Sequence, residues 1–586
     1  MEKICDGLYW EQVTNPYDNI FLSALVAAIP IIFLFTALAI FKLKGHIVGI
    51  IILIITLIIS VVAFKMPLEY SFFSILYGAL FGLWPIGWIV LTAVFLYNLT
   101  VKSGYFQIIK DFIAGITNDR RIQAILIAFS FGAFIEGVAG FGAPVVITAA
   151  MLAGLGFKPL YAAGLCLIAN TAPVAFGAVG IPVITAGAVG GIDAHIISQA
   201  VSRQLFILSA FVPFWLVFIM SGWKGAKEVM PAILVSGLSY SLAQILSAQF
   251  LGPMLPAIIS ALVSMVSLVI LLKFWKPKSL WRFENESEAD IIKNKHSFKT
   301  VLKAWSPYII LTIIISDWSI KPVKNILDLT SFKIVLEPIN QMILISGKPL
   351  EAVFNFNWLS ATGTSILITS IISAFILGIS YKEFAKIFIE TLINLKSALL
   401  TIACFLGFAY AANWSGMTTS LGMVLSLTGT VFPFISPFIG WLGVMITGSD
   451  TSSNALFCNM QRVTAESMDI NPVLTVATNS SGGCAGKMIS PQSLVIGASS
   501  TGLTGKEGDL FRFTILHSLF FVTIIGIITF VQAYFLQWTI PTLKTSITTS
   551  NYNNTNGLLI LAISFIAIII LGFIVYEPQK SLNQNK

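Results

Sequence analysis

The chain has 586 residues, of which 56% are hydrophobic and only 10% charged, with a formal net charge of +8. A soluble domain carries about 25% charged residues, so no soluble fold hides this much apolar surface, and the solvent is lipid. The basic residues lie between apolar runs, where lysine and arginine set the orientation of membrane spans, and this placement speaks against nucleic acid as a partner.

The N-terminal segment "MEKICDGLYWEQVTNPYDN" lacks the basic start of a signal peptide. Residues 20–41 are therefore read as a retained first span. Its basic flank, "FKLKGH", places the N-terminus outside. Further spans are expected at 47–64, 71–101 (bent at Pro85), 196–220, 231–250, 253–275, 305–320, 359–379, 397–413, 513–535 and 558–575. About 20 apolar residues cross a bilayer as a helix. None of these runs alternates as the strands of a membrane barrel do.

Two regions, 122–190 and 432–500, are apolar but interrupted throughout by Gly, Pro, Asn, Ser and Thr. They divide the chain into N-terminal spans (1–121), a first broken-helix region with its following span (122–228), connecting spans (229–431), a second broken-helix region (432–512) and C-terminal spans with a tail (513–586). Within the connecting part, loop 276–303 carries seven Lys/Arg and is expected in the cytoplasm. Loop 321–358 is expected outside with some local structure. The tail "YEPQKSLNQNK" is expected inside.

The two interrupted regions can be laid on each other. "IEGVAGFGAP" (135–144) pairs with "ITGSDTSSNA" (446–455), matching Gly137 to Gly448, and "NTAPVAFGAVGIP" (170–182) pairs with "NSSGGCAGKMISP" (479–491). The first follows a basic segment and the second an uncharged one, so they enter the membrane from opposite sides. The expected fold is thus an all-α polytopic membrane protein with inverted repeats and two re-entrant, broken-helix hairpins. That is the sequence signature of a secondary transporter, whose substrate site lies between the repeats.

The chemistry-bearing residues gather in these regions. Glu136 is a carboxylate at bilayer depth, where a charge costs roughly 3 kcal/mol or more. It stands beside Gly137, Gly140 and Gly142, whose backbone is expected to open the helix. It is read as the proton carrier, against a purely structural carboxylate bonded to free backbone N–H groups. Asp450 is either a site residue or the N-cap of a half-helix. Ser449, Thr451, Ser452 and Asn454 offer hydroxyls and an amide to a small polar substrate. Lys487, between Gly486 and a proline, is the best partner for an anion, against a snorkelling interfacial lysine. Asn170, Thr171, Asn479 and Ser480 are the paired amide–hydroxyl positions, either ligands or caps. Gly448 and Gly486 complete the expected broken backbone. Five isolated cysteines (Cys5, Cys166, Cys404, Cys458, Cys484) and four histidines give no metal spacing. No Walker motif is present, so neither metal nor cofactor is expected.

At these motifs the chain resembles the lactate permease family. The resemblance rests on "LYGALFGLWPIGWIVLTAVFLY" (76–97), "FIEGVAGFGAPVVITAAMLAGLGFKPLYAAGLCLIANTAPVAFGAVGIPVITAG" (134–187), "RQLFILSAFVPFWLVFIMSGW" (203–223), "ITGSDTSSNALF" (446–457) and "GKMISPQSLVIGASSTGLTGKEGDLFRFTILHS" (486–518). It implies a proton-coupled symporter of L-lactate, D-lactate and glycolate in a bacterial cytoplasmic membrane. By similarity of plan with other anion transporters it also implies an elevator-like mechanism. Glu136, Asp450 and Lys487 are the positions carried over, and Arg462 is left out of the core site. A homodimer stays open.

Two alternatives remain beside this reading. One is a sodium-coupled di- or tricarboxylate carrier of the same plan, disfavoured because only Lys487 is an obvious intramembrane cation. The other is an intramembrane hydrolase using Glu136 and Asp450 as an acidic dyad, for which the repeats would have no role.

Overall fold

The structure, a computed structural model, describes residues 9–283, 296–542 and 554–575. Among these, twelve helices are long and apolar enough to cross a membrane, or thirteen if the bent pair Pro159–Ala169 and Val174–Gly190 counts as one more. The protein is a helical, polytopic membrane protein. The tail 576–586 and the middle of loop 276–303 lie outside the described residues.

The chain begins with α1 (Ile20–Phe35), capped by Asn19, and α2 (Gly45–Val62). The expected bend at Pro85 is present. α3 (Leu68–Phe81) ends in a distorted turn where Trp84 is extended (φ −136°, ψ 121°), and α4 (Trp88–Lys102) follows. After α5 (Tyr105–Ala114), α6 (Arg120–Gln123), a wide-turn segment Ala124–Phe131 and α7 (Gly132–Val138) form one 19-residue rod that is wholly buried. Here the sequence suggested interruption, but glycine alone does not end a helix whose neighbours hold it on every side.

The real break covers 139–142, where Gly140, Phe141 and Gly142 all have positive φ. α8 (Ala143–Gly154) and α9 (Pro159–Ala169) follow. The chain then unwinds until α10 (Gly177–Gly190), whose first turn holds left-handed Ala178, Val179 and Gly180. The two halves meet at 66°. Three long helices come next: α11 (Ala194–Glu228), α12 (Met230–Leu251) and α13 (Pro256–Phe274). α14 (Phe298–Ser319) leads to α15 (Lys321–Asp328) and a small β cap.

That cap is the local structure expected in 321–358. Numbered in chain order, β1 is Trp10–Glu11, β2 Phe332–Val335, β3 Ile343–Ile345, β4 Lys348–Pro349 and β5 Val353–Phe356. β1 pairs in parallel with β3, β3 with β4, and β2 with β5. The N-terminal segment and loop 321–358 therefore share one face of the protein.

α16 (Thr362–Leu377) is shorter than the span expected at 359–379, while α17 (Tyr381–Ser415) is far longer than 397–413. No Gly or Pro interrupts 381–406, and its charges pair along the helix, Lys386 reaching Glu390 at 3.9 Å. The helix accordingly continues past its apolar part. α18 (Met417–Ser426), not foreseen, precedes the second interrupted region. That region consists of α19 (Phe432–Thr447), α20 (Asp450–Glu466), α21 (Pro472–Lys487) and α22 (Pro491–Ser500), followed by α23 (Glu507–Tyr534) and α24 (Asn554–Val575).

Small residues set the packing inside the second region. A side chain at Gly440 would overlap the Asn479 carbonyl, one at Gly482 the Pro437 carbonyl, and one at Gly486 the Trp441 carbonyl. α19 and α21 thus lie backbone to backbone, as lipid-embedded helices do where small residues face each other. Gly486 is consequently a packing residue inside α21 and no part of a break. Gly137 is likewise helical within α7, where a Cβ would fall 2.9 Å from Ile258.

Candidate functional site

The interruptions meet around a cavity of about 330 Å³. One wall comes from the ends of the broken helices: Glu136, Gly140, Ala178, Asp450 and Lys487 all line it. The opposite wall comes from unbroken helices, through Val90 of α4 and Thr401, Ile402 and Phe405 of α17. Helix ends carry backbone groups without intrahelical partners, and a membrane protein tolerates them at depth only around protein or a cavity.

Glu136 occupies the last turn of α7 and is 5% exposed. Gly177 makes room for it, since a Cβ there would lie 2.5 Å from Oε1. Asn170, the residue that ends α9, stands within side-chain hydrogen-bond reach of the carboxyl. Its Oε2 has no protein partner.

Asp450 is the first residue of α20 and is 4% exposed. Its Oδ2 accepts from Ser480 Oγ at 2.6 Å and from Asn454 Nδ2 at 3.5 Å, while Oδ1 has no partner. Ser449 is the actual N-cap of α20, accepting from the Ser452 amide at 3.3 Å. The capping reading of Asp450 therefore passes to its neighbour, and the aspartate's free oxygen is left over.

Lys487 is the last residue of α21, half-buried, and its ammonium donates to the Gly448 carbonyl. Among the described residues it forms no ion pair within 4 Å, yet it lies close enough to Glu136 and Asp450 for all three charges to interact. Two carboxylates against one ammonium leave the site with an excess negative charge when both acids are ionised.

The remaining expected residues divide into two layers. Thr451 and Ser452 line the cavity with Ser449 and Gly448. Asn454, Asn479 and Ser480 are fully buried behind it: Asn454 donates to the Pro182 carbonyl at 3.0 Å and accepts from Asn479 at 2.9 Å, and Gln461 donates to Asn479 at 3.3 Å. They hold Asp450 and lock α20 to α10. Asn170 Oδ1 and Thr171 Oγ1 are buried without partners beside the end of α9.

The two alignments of the repeats fare differently. The second sets left-handed 178–180 against 487–489, where α21 gives way to α22, and Pro182 against the first residue of α22. The first is out of step: the break lies at 139–142 in one region and at Gly448–Ser449 in the other. Asn170 and Asn479 are not equivalent either, because Asn170 ends a helix and Asn479 lies inside one. Pro173 is the physical reason. It removes the backbone N–H that would bond back to Ala169 and disfavours helix at the residue before it, whereas 473–490 contains no proline.

Sequence reasoning missed the opposite wall. Leu38, Val90, Thr401 and Phe405 stand in apolar stretches of their helices, and nothing in their pattern separates a cavity face from a lipid face. Gln492 was also missed, although it stands only five residues after Lys487 in "GKMISPQS".

A family model described as L-lactate permease matches residues 23–536. The chain belongs to the L-lactate permease family. It is 52% identical over 563 residues to the L-lactate permease of Bacillus subtilis (strain 168), covering 91% of this chain and all of that protein. It is 50% identical over 551 residues to the glycolate permease GlcA of Escherichia coli (strain K12), covering 90% and 98%. The solved structure of Neisseria gonorrhoeae MtrF overlays 86% of this chain and 97% of that one, with a TM-score of 0.48 and 14% identity. With its family and its twelve candidate spans, this permease-family member is a multi-pass protein of the bacterial cell membrane.

Proposed function

We propose that the protein imports lactate and related 2-hydroxy monocarboxylates such as glycolate in symport with protons. Lys487 binds the carboxylate and Glu136 carries the proton. The observation that carries the reading is the meeting of Glu136, Asp450 and Lys487 at the ends of broken helices around one small cavity, each acid with an oxygen left unpartnered. The relatives' names, lactate permease and glycolate permease, supply the substrate class.

The coupling follows from charge. Interior charges interact strongly because the effective dielectric is low. A lactate anion entering a site with two carboxylates and one ammonium adds a further negative charge. Protonation of Glu136 removes one, so substrate and proton each favour the other's binding, and such linkage is reciprocal. Asp450, held by Ser480 and Asn454, stays in place and adds its charge to the field that Lys487 and Glu136 share. In this reading the two broken-helix regions are inverted halves of a body that moves against α1, α2, α4 and α17. No hydrogen bond joins Glu136 to Asp450 among the described residues, which speaks against an acidic dyad.

Purified protein in vesicles tests the proposal. Labelled L-lactate should accumulate when the outside is made acidic, and a sodium gradient at equal pH should drive nothing. Accumulation on sodium alone would favour the sodium-coupled carrier.

A further inference from the structure

Gln492 lines the cavity with Lys487 at its solvent-exposed side, and among the described residues its amide makes no side-chain hydrogen bond. Both side chains sit on the same residue, Gly448. The Lys487 ammonium bonds the Gly448 carbonyl, and a Cβ built on Gly448 would lie 2.5 Å from Gln492 Oε1 and 3.2 Å from its Cβ. The positive φ of Gly448 (73°) and this contact together demand glycine there. The turn at 448 thus brings an ammonium and an unpaired amide side by side at the cavity wall.

In a 2-hydroxy acid the hydroxyl sits on the carbon next to the carboxylate. The group that reads it must therefore stand next to the group that binds the carboxylate. Most other polar side chains in the lining are engaged. Thr447 donates to the Gly443 carbonyl at 2.7 Å, Thr401 to the Ser397 carbonyl at 2.8 Å, and Ser449 caps α20. Among the described residues Thr451 and Ser452 make no side-chain hydrogen bond either, but they stand on the turn that carries the carboxylate of Asp450, whereas Gln492 shares Gly448 with the Lys487 ammonium. A primary amide has both a donor and an acceptor, so it can serve a hydroxyl in either sense.

We infer that Gln492 is the residue that recognises the substrate's 2-hydroxyl, and that it separates 2-hydroxy acids from plain short-chain acids. The inference rests on the proposed lactate site and adds the part that sets its selectivity. Apolar neighbours, Ala178, Ile181 and Phe405, leave the rest of the cavity to the methyl group, which explains how a lactate site accommodates glycolate as well.

The test is competition by lactate and by propionate, its analogue without the hydroxyl, against labelled lactate counterflow in vesicles. The wild type should prefer lactate by about tenfold, the worth of one net hydrogen bond near the upper end of its range. Gln492→Leu should lose that preference by weakening lactate about tenfold while leaving propionate unchanged. Gln492→Met serves where the leucine variant does not fold, with the same expectation. Ser499→Ala, on the same helix as Gln492 but outside the cavity lining, should keep the wild-type ratio. An unaltered lactate-to-propionate ratio in folded Gln492 variants overturns the inference, as does a wild type that does not discriminate, or a Ser499→Ala that removes the preference. A wild type that moves no lactate at all defeats the proposed function itself.

Discussion

Replacing Lys487 by methionine keeps most of the side chain's length and removes its charge. The substrate carboxylate would then enter a cavity holding two other carboxylates and no cation. Removing one partner of a buried ion pair costs about 3–5 kcal/mol, because the other charge is left uncompensated. Lys487 is half-buried and its ammonium already shares the Gly448 carbonyl, so water and that contact place the loss at the low end, about 3 kcal/mol. At ~1.4 kcal/mol per tenfold this is roughly a hundredfold rise in Kd. Isothermal titration of lactate into purified protein measures it, with thermal unfolding as the check on folding. Lys487→Arg keeps the charge and should bind more tightly than the methionine variant. A folded Lys487→Met with wild-type Kd would remove Lys487 from the site and take the anion-binding argument with it.

Three further outcomes follow from the geometry. A Gly140→Val, Gly142→Val double variant should abolish counterflow, because both residues have positive φ and a side chain at 142 would meet Ile496 at 2.6 Å; wild-type transport would show that the break at 139–142 is not required. Ser480→Ala removes the 2.6 Å bond to Asp450; a hydrogen bond to a charged group is worth about 1.5–3 kcal/mol, so the variant should unfold at a lower temperature than the wild type, and an unchanged unfolding temperature would show that this bond does not hold Asp450. Arg121→Met should lower the thermal unfolding temperature and leave the lactate affinity of the folded fraction alone, since the fully buried guanidinium bridges Asp119 at 2.8 Å, Glu228 at 2.8 Å and the Ser279 carbonyl at 3.0 Å, none of which lines the cavity.

How much of this was legible in the sequence depends on what a residue's neighbours decide. Most of the spans were readable because lipid demands long apolar helices, and the bend at Pro85 because proline removes a helix hydrogen bond and crowds the preceding turn. Glu136, Asp450 and Lys487 stood out because a charge at membrane depth has few structural uses. The exact breaks did not. Gly137 and Gly486 share the composition of Gly140 and Gly448, yet the first two are tight packing points inside helices and the last two are left-handed turns. That difference is fixed by Ile258 and by the Trp441 carbonyl, which are remote in sequence. In the sequence Asn454 reads as an amide offered to the substrate, and Asn479, from the repeat pairing, as either a ligand or a cap. Their partners, the Pro182 carbonyl and Gln461, lie on other helices and turn them into braces. The wall formed by α4 and α17 carried no signal, because a leucine or phenylalanine facing a cavity reads like one facing lipid.

The central claim is that Glu136 couples proton and lactate, and Glu136→Gln tests it most directly. Glutamine imitates the protonated carboxyl and cannot release the proton. In vesicles the variant should still exchange internal for external lactate, with little dependence on pH, because the loaded carrier can reorient. It should fail to accumulate lactate under an acid-outside gradient, because the empty carrier cannot complete its cycle. Exchange retained with accumulation lost is the predicted result; normal accumulation driven by the pH gradient in Glu136→Gln would contradict the account.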